Sequence, residues 1–589
     1  MKRGAVAIAS VLFVVAAAVA LVLLLRPDEG TAGPPDPVTV SPALGGRWAS
    51  PKTEISLRGL PASRLGTIEV SGSQSGRHPG KLEAHFDNEG ASFVPDKPFD
   101  PGEEVKVSTD LTVSGGRDGD YRFWVSRPAP PPPPRTADRP GGAVRRYATA
   151  PDLVTPAVEI VKKEPGRTPG YVFIAPKRGS GIDGPMILND DGDLVWARKA
   201  PENEEAFDFR TQSYKGEPVL TWWEGTSTVG VGAGEGVMLD SSYREVMRIR
   251  AGNGYRADLH EMLITPRGTA LLLAYSYVHA DLRDVRGPED GVAIDGVVQE
   301  VDLETGHVLF EWHSLDHVAL DESHWPLPED PAKEGYDYAH LNSVGIDTDG
   351  DLLVNGRHTW AAYKIDRRTG TVRWRLGGKK SDFNFEDGAA FAYQHDVRRR
   401  GDGAITMFDN AASQSPQPGK RSRGLALELD EGNQTARVAD QYVNGQLLGE
   451  TQGNMQVLPN GHVFVGWGAA PAFTEFAPDG RILLDGRIAE GNDNYRAYRA
   501  RWTGRPTDPP ALVVEGREAI ASFNGATGVD RWELLAGADP GAVRLAGSSA
   551  RQGFETRLPI PADARVIAVR ALGPRGGTLG ESEPVTVGG

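Results

Sequence analysis

Three histidines stand at matched distances ahead of glycine turns: His260 before Gly268, His340 before Gly350 and His395 before Gly403, at offsets of 8, 10 and 8 residues. All three offsets are even. On regular strands, whose side chains alternate with a period of two, the imidazoles then fall on equivalent faces. Asn342 lies two residues beyond His340 and shares its face, and a hairpin closed by the turn at 347–350 sets Arg357 opposite His340. An imidazole, an amide and a guanidinium on one face need water or a shared anionic ligand, so the expected chemistry is anion binding. Zinc held by the three histidines would be chemically sound, but Arg357 would put a fixed positive charge beside it. The reading therefore requires no metal and no cofactor.

Such residues must be carried on repeated strands. Between 170 and 506 a turn followed by an apolar or Trp-containing strand recurs at Gly192, Tyr243, Gly306, Gly370, Gly432 and Gly480, spaced by 51, 63, 64, 62 and 48 residues. Each interval holds a four-stranded sheet with its loops, and sheets arranged radially make a six-bladed β-propeller. The histidine strands would converge on its central channel, with Asn454 taking the equivalent place in a fourth blade. Tyr338 and Trp360, with Tyr275 and Trp467, could sandwich an aromatic ring there, core packing being the alternative role for each. Asp396 would face away from its neighbour His395. The remaining histidines, His358 among them, fall in loops, at turns or beside acidic runs and receive no function.

The rest of the chain frames this unit. Short alternating segments over 30–127 suggest an immunoglobulin-like β-sandwich, and a similar set over 509–589, with Trp532 central, a fibronectin-III-like one. A proline-rich linker occupies 128–150, too rich in proline at 128–134 to join a sheet. The propeller is expected over 151–508. A net charge of -16 argues against nucleic acid as the main partner, and the absence of cysteine excludes disulfides and thiolate chemistry. Lys2 and Arg3 precede an apolar run over 4–25, long enough to cross a bilayer as a helix. The expectation is a transmembrane signal anchor over 1–29 with an extracytoplasmic body, secreted if the segment is cleaved.

The motifs DLHEMLITPRGTALLLAY, AHLNSVGIDTDGDLLVNGRHTWAAYKIDRRTGTVRWRLGGKKSDF and FAYQHDVRRRGDGAITMFDNA resemble the arylsulfotransferase family of bacterial, PAPS-independent aryl-sulfate sulfotransferases, in its actinobacterial and fungal branch. The resemblance covers roughly residues 170–503. It implies a six-bladed propeller and a ping-pong mechanism through a sulfohistidine. His395 then matches the nucleophile, and His260, His340, Asn342 and Arg357 the surrounding catalytic and sulfate-binding groups. The disulfide that enterobacterial members carry near the site has no counterpart in a chain without cysteine. Transfer of a sulfuryl group resembles phosphoryl transfer, in which positioning and electrostatics do most of the work. The implied partners are a small phenolic sulfate and a phenol, held by Arg357, Asn342, Tyr338 and Trp360. Two other readings remain at this point: a membrane-tethered propeller that binds a ligand or surface partner without turnover, and a quinone-cofactor dehydrogenase, for which no acidic calcium site is evident.

Overall fold

Alternating apolar residues between glycine-rich turns make strands throughout in a computed structural model. The structure describes residues 37–588 apart from 117–118, 134–139, 229, 412–420 and 446. Two four-stranded sheets open the described chain. One runs Thr39–Ser41, Ile55–Arg58, Gly90–Pro95, Gly80–Ala84, and the other Gly76–His78, Ile68–Gly72, Glu104–Thr109, Asp120–Trp124. Their inner faces share a core that includes Leu57, Phe93, Val107 and Phe123. The expected membrane-crossing run over 4–25 lies outside the described residues, among which no helix is long and apolar enough to span a bilayer.

Successive antiparallel meanders follow. The first sheet joins Tyr171–Ile174, Met186–Leu188 and Leu194–Ala197 to a strand from far along the chain, Tyr498–Ala500. The second starts with Glu205–Tyr214 and the third with Ala257–Ile264, the two linked by a single pairing of Gly234 with Ala257. The fourth starts with Leu341–Ile346 and the fifth with His395–Arg399. The sixth, Asn454–Val457 to Ile482–Ile488, takes its last strand, Val158–Lys163, from the beginning of the unit. First strands of neighbouring sheets pack on one another in order, and the sixth sheet reaches the first through Val463–Gly466 against Tyr498–Ala500. Trp222, Trp312 and Trp467 are fully buried between sheets.

The histidine strands are not regular, which corrects the assumption behind the matched offsets. Pairing slips between Ala257 and Met262, between Leu341 and Ser343, and between His395 and Arg398. Each slip is a bulge that turns side chains out of the period-two pattern. His340 itself has φ 49° and precedes its strand, so nothing fixes Tyr338, His340 and Asn342 to one face.

The proline run also does more than span a gap. The Ala129 N–H donates to Tyr277 O at 2.8 Å and the His279 N–H to Arg127 O at 2.9 Å, laying the linker along the Thr269–Ala280 strand. Around a core that includes Phe523 and Trp532 the chain ends in a second pair of sheets, Ala511–Glu515, Glu518–Ser522, Glu555–Pro559 against a sheet centred on Arg531–Gly537 and Val566–Leu572.

Candidate active site

Where the first strands converge, His260, His340, His358, His395 and Arg357 line a cavity of about 520 Å³. Beneath it lies a buried ionic lattice. Arg496 reaches Asp208 and Glu261, each at 3.2 Å, Arg210 reaches Glu261 at 2.7 Å, and Arg398 bridges Glu261 and Asp396. Three guanidinium groups stand against three carboxylates, an attraction that opposes the desolvation of burial and holds Glu261 low, while at Asp208 burial still wins. The lattice also supports the site: Arg496 donates to Asn342 O at 3.0 Å, and the Tyr495 hydroxyl to His260 O at 3.0 Å.

His395 is oriented by Asn410. The Asn410 amide nitrogen donates to Gly449 O (2.6 Å) and Gln452 O (2.8 Å), so its Oδ1 must face the imidazole, at 2.7 Å from Nδ1. Nδ1 therefore carries the proton and Nε2 the lone pair. That lone pair accepts a long bond, 3.2 Å, from the Gln452 N–H. Burial, reinforced by Arg357, pushes the His395 pKa well below the usual value, so the ring is neutral at neutral pH. Asp396 turns elsewhere, to Arg398 and the Met455 N–H.

His340 and His260 each pair with a carboxylate. His340 Nδ1 lies 2.5 Å from Asp337 Oδ2, and His260 Nδ1 2.6 Å from Asp258 Oδ1. The two rings meet edge to face with centroids 4.9 Å apart. Burial alone would raise the Asp337 carboxyl, but the neighbouring imidazoles, His340 first, hold it down at about 2. For His260 burial wins over Asp258 and the pKa is lowered.

Arg357 stands opposite His340, its N–H donating to His340 O at 2.9 Å. Its guanidinium touches only neutral groups: His358 Nε2 at 2.8 Å, Glu450 O at 3.2 Å and the face of Tyr393 at 4.8 Å. Among the described residues it has no ion pair. Burial pulls its pKa down to about 10, so it keeps its charge at neutral pH without a counter-ion in contact. That is an invitation to an anion.

Three expected ligand contacts are corrected. Asn342 sits in the bulge and spends its amide behind the cavity, donating to Gln394 O at 2.9 Å and accepting from Asn355 at 2.7 Å. Tyr338 is packed in the apolar core with Leu341 and Tyr363, because the bend before His340 turns Asp337 rather than Tyr338 to the cavity. Trp360, held at φ 53°, stacks on His324 at 3.7 Å instead of on the channel. Tyr275 backs His260 and His340 and donates to Leu341 O, while Trp467 is core. The aromatic walls are instead Phe207, Tyr277, Trp325 and Tyr495. Sequence reasoning also missed Asp258, Asp337, His358 and Asn410. The first two lay two and three residues from predicted histidines, a readable signal; Asn410 and Trp325 gave none.

Asp337, His340 and His358 bring ligand atoms within 4.8 Å of one another, close enough to hold a metal ion. The donor set does not favour one. His358 Nε2 already accepts from Arg357, whose charge would lie against the ion.

Residues 210–489 match the family model described as arylsulfotransferase (ASST). That span includes all four cavity histidines and Arg357. Comparison with curated proteins gives no match. Among solved structures, a protein of unknown function from Bacteroides caccae is 16% identical, covering 57% of this chain and 100% of its own, with a TM-score of 0.35. A catalytically inactive virginiamycin B lyase from Staphylococcus aureus, solved with quinupristin, is 9% identical, covering 66% and 96%, with a TM-score of 0.26. A protein of unknown function from Dyadobacter fermentans is 13% identical, covering 63% and 96%, with a TM-score of 0.30. At such scores these likenesses carry no argument about this chain.

Proposed function

We propose, from the match of residues 210–489 to the arylsulfotransferase model, that this chain moves a sulfuryl group from a phenolic sulfate ester to a phenol through a sulfohistidine. One observation carries the reading: a buried guanidinium that touches only neutral groups shares a cavity with an imidazole whose Nε2 holds a lone pair. Arg357 holds the sulfonate oxygens. His395 Nε2 attacks sulfur, the S–O bond to the aryl group breaks, and its electrons leave on the phenolate, which takes a proton from His340. The acceptor phenol then returns a proton to that imidazole as its oxygen attacks sulfur, the S–N bond breaks and His395 is restored. Asp337 and Asp258 hold the His340 and His260 rings in place through their Nδ1 atoms.

In this reading the ring of sheets is a six-bladed propeller over 151–508, flanked by an immunoglobulin-like sandwich at 30–127, the 128–150 linker and a fibronectin-III-like sandwich at 509–589. The basic and apolar N-terminal segment supports an exported, membrane-anchored body. A binding-only role is favoured by one contact, the Gln452 N–H on the lone pair of His395. Incubation with p-nitrophenyl sulfate and a phenol, followed by mass spectrometry, decides. Turnover and a sulfonated His395 peptide are expected, with turnover at least about a thousandfold lower in His395→Ala. No turnover in the wild type, or undiminished turnover in the variant, removes the transferase reading.

A further inference from the structure

We infer that His358 is a positioning residue that aims Arg357 at the anion, an inference that rests on reading Arg357 as the anion clamp. Its tautomer is fixed by geometry. Nδ1 lies 2.6 Å from the Asp337 backbone carbonyl, which can only accept, so Nδ1 carries the proton. Nε2 is then left with a lone pair, and it receives the Arg357 Nη1–H at 2.8 Å. The guanidinium is planar and forked, so fixing one terminal nitrogen fixes where the remaining N–H groups point.

The imidazole is itself immobilised on both faces. Trp325 stacks on one at 4.4 Å and 7°, and His340 packs near the other at 4.6 Å. Its backbone carbonyl accepts from the His324 N–H at 2.8 Å, tying the Trp325 loop to the turn that holds Arg357. A protonated His358 could not accept from a guanidinium, and burial keeps its pKa well below the ordinary value. Carboxylate in this place would have served as a counter-ion and competed with the ligand. A neutral acceptor orients the cation and leaves its charge unspent.

The test compares His358→Gln, whose amide can still accept from Arg357 and donate to Asp337 O, with His358→Phe, which keeps the stacked ring and loses both bonds. Inorganic sulfate binding is measured by calorimetry in these variants, in Arg357→Ala and in the wild type, with thermal melts to verify folding. A lost bond to a charged group predicts about 10- to 100-fold weaker sulfate binding in His358→Phe, approaching Arg357→Ala, while His358→Gln stays within about fivefold of wild type. In turnover, His358→Phe raises the donor KM more than it lowers kcat. Equal sulfate affinity in His358→Phe and wild type, equal losses in the two His358 variants, or no sulfate binding by the wild type would each overturn the inference. If sulfate binds as described but aryl sulfates are not turned over, the transferase reading fails and the role of His358 stands.

Discussion

Asn410 decides which nitrogen of His395 can react, because its own nitrogen is committed to two backbone carbonyls. Asn410→Ala frees the ring to adopt the other tautomer. A drop of about 10- to 100-fold in kcat with little change in donor KM is expected, the size of one lost hydrogen bond, measured by steady-state kinetics; an unchanged kcat would remove Asn410 from the mechanism. The histidines and Arg357 were legible because such residues are rare on strands and were spaced alike. Asn410 was not, since an asparagine after a strand usually marks a turn. His358 stands beside Arg357, yet from sequence it reads as a loop histidine. Its use depends on the Asp337 carbonyl and the Trp325 ring, which only folding brings to it.

At the scale of elements, bulges place the chemistry. The three strands that carry or follow His260, His340 and His395 break register at or next to the histidine, and those breaks turn Asn342 inward and leave Tyr338 in the core. Period-two reasoning could find the strands but not the slips, because a bulge is set by what the strand packs against rather than by its own residues. Below the bulges, the lattice of Arg210, Arg398 and Arg496 with Asp208, Glu261 and Asp396 locks the first strands to one another. Glu261 touches all three guanidinium groups. Glu261→Gln leaves buried positive charge unmatched, and a loss of about 3–5 kcal/mol in unfolding free energy is expected from urea denaturation. A loss under about 1 kcal/mol would show the lattice to be incidental.

For the whole molecule, the alternation of apolar segments was enough to foresee the all-β chain and its paired terminal sheets, since strand spacing survives without knowledge of partners. How the N-terminal sandwich docks was not legible. Glu54 meets His307 Nδ1 at 2.7 Å, Arg47 donates its N–H to Asp316 at 3.0 Å, and Arg267 reaches Asp87 at 3.2 Å, each joining residues about 180 or more positions apart. The hydrogen bond that His307 donates to Glu54 raises the His307 pKa, with burial opposing. The contribution is therefore full below the ~6.5 of a free histidine and lost as pH rises through the raised folded value. Glu54→Gln should lower Tm more at about pH 5.5 than at about pH 9; equal losses would contradict the pairing.

The linker adds a dependence of another kind. Ala129 is stitched to the Thr269–Ala280 strand, and Pro132 lines the cavity itself. The tether is thus one side of the vessel. A protein shortened to begin after the linker keeps all four cavity imidazoles yet loses that side. It should accept bulkier phenols while turning over a small donor at a similar rate, which competition between acceptors of graded size would reveal; an unaltered size ranking would mean that the tether only happens to pass by. Exchanging the linker for another would then be a change of selectivity as well as of support.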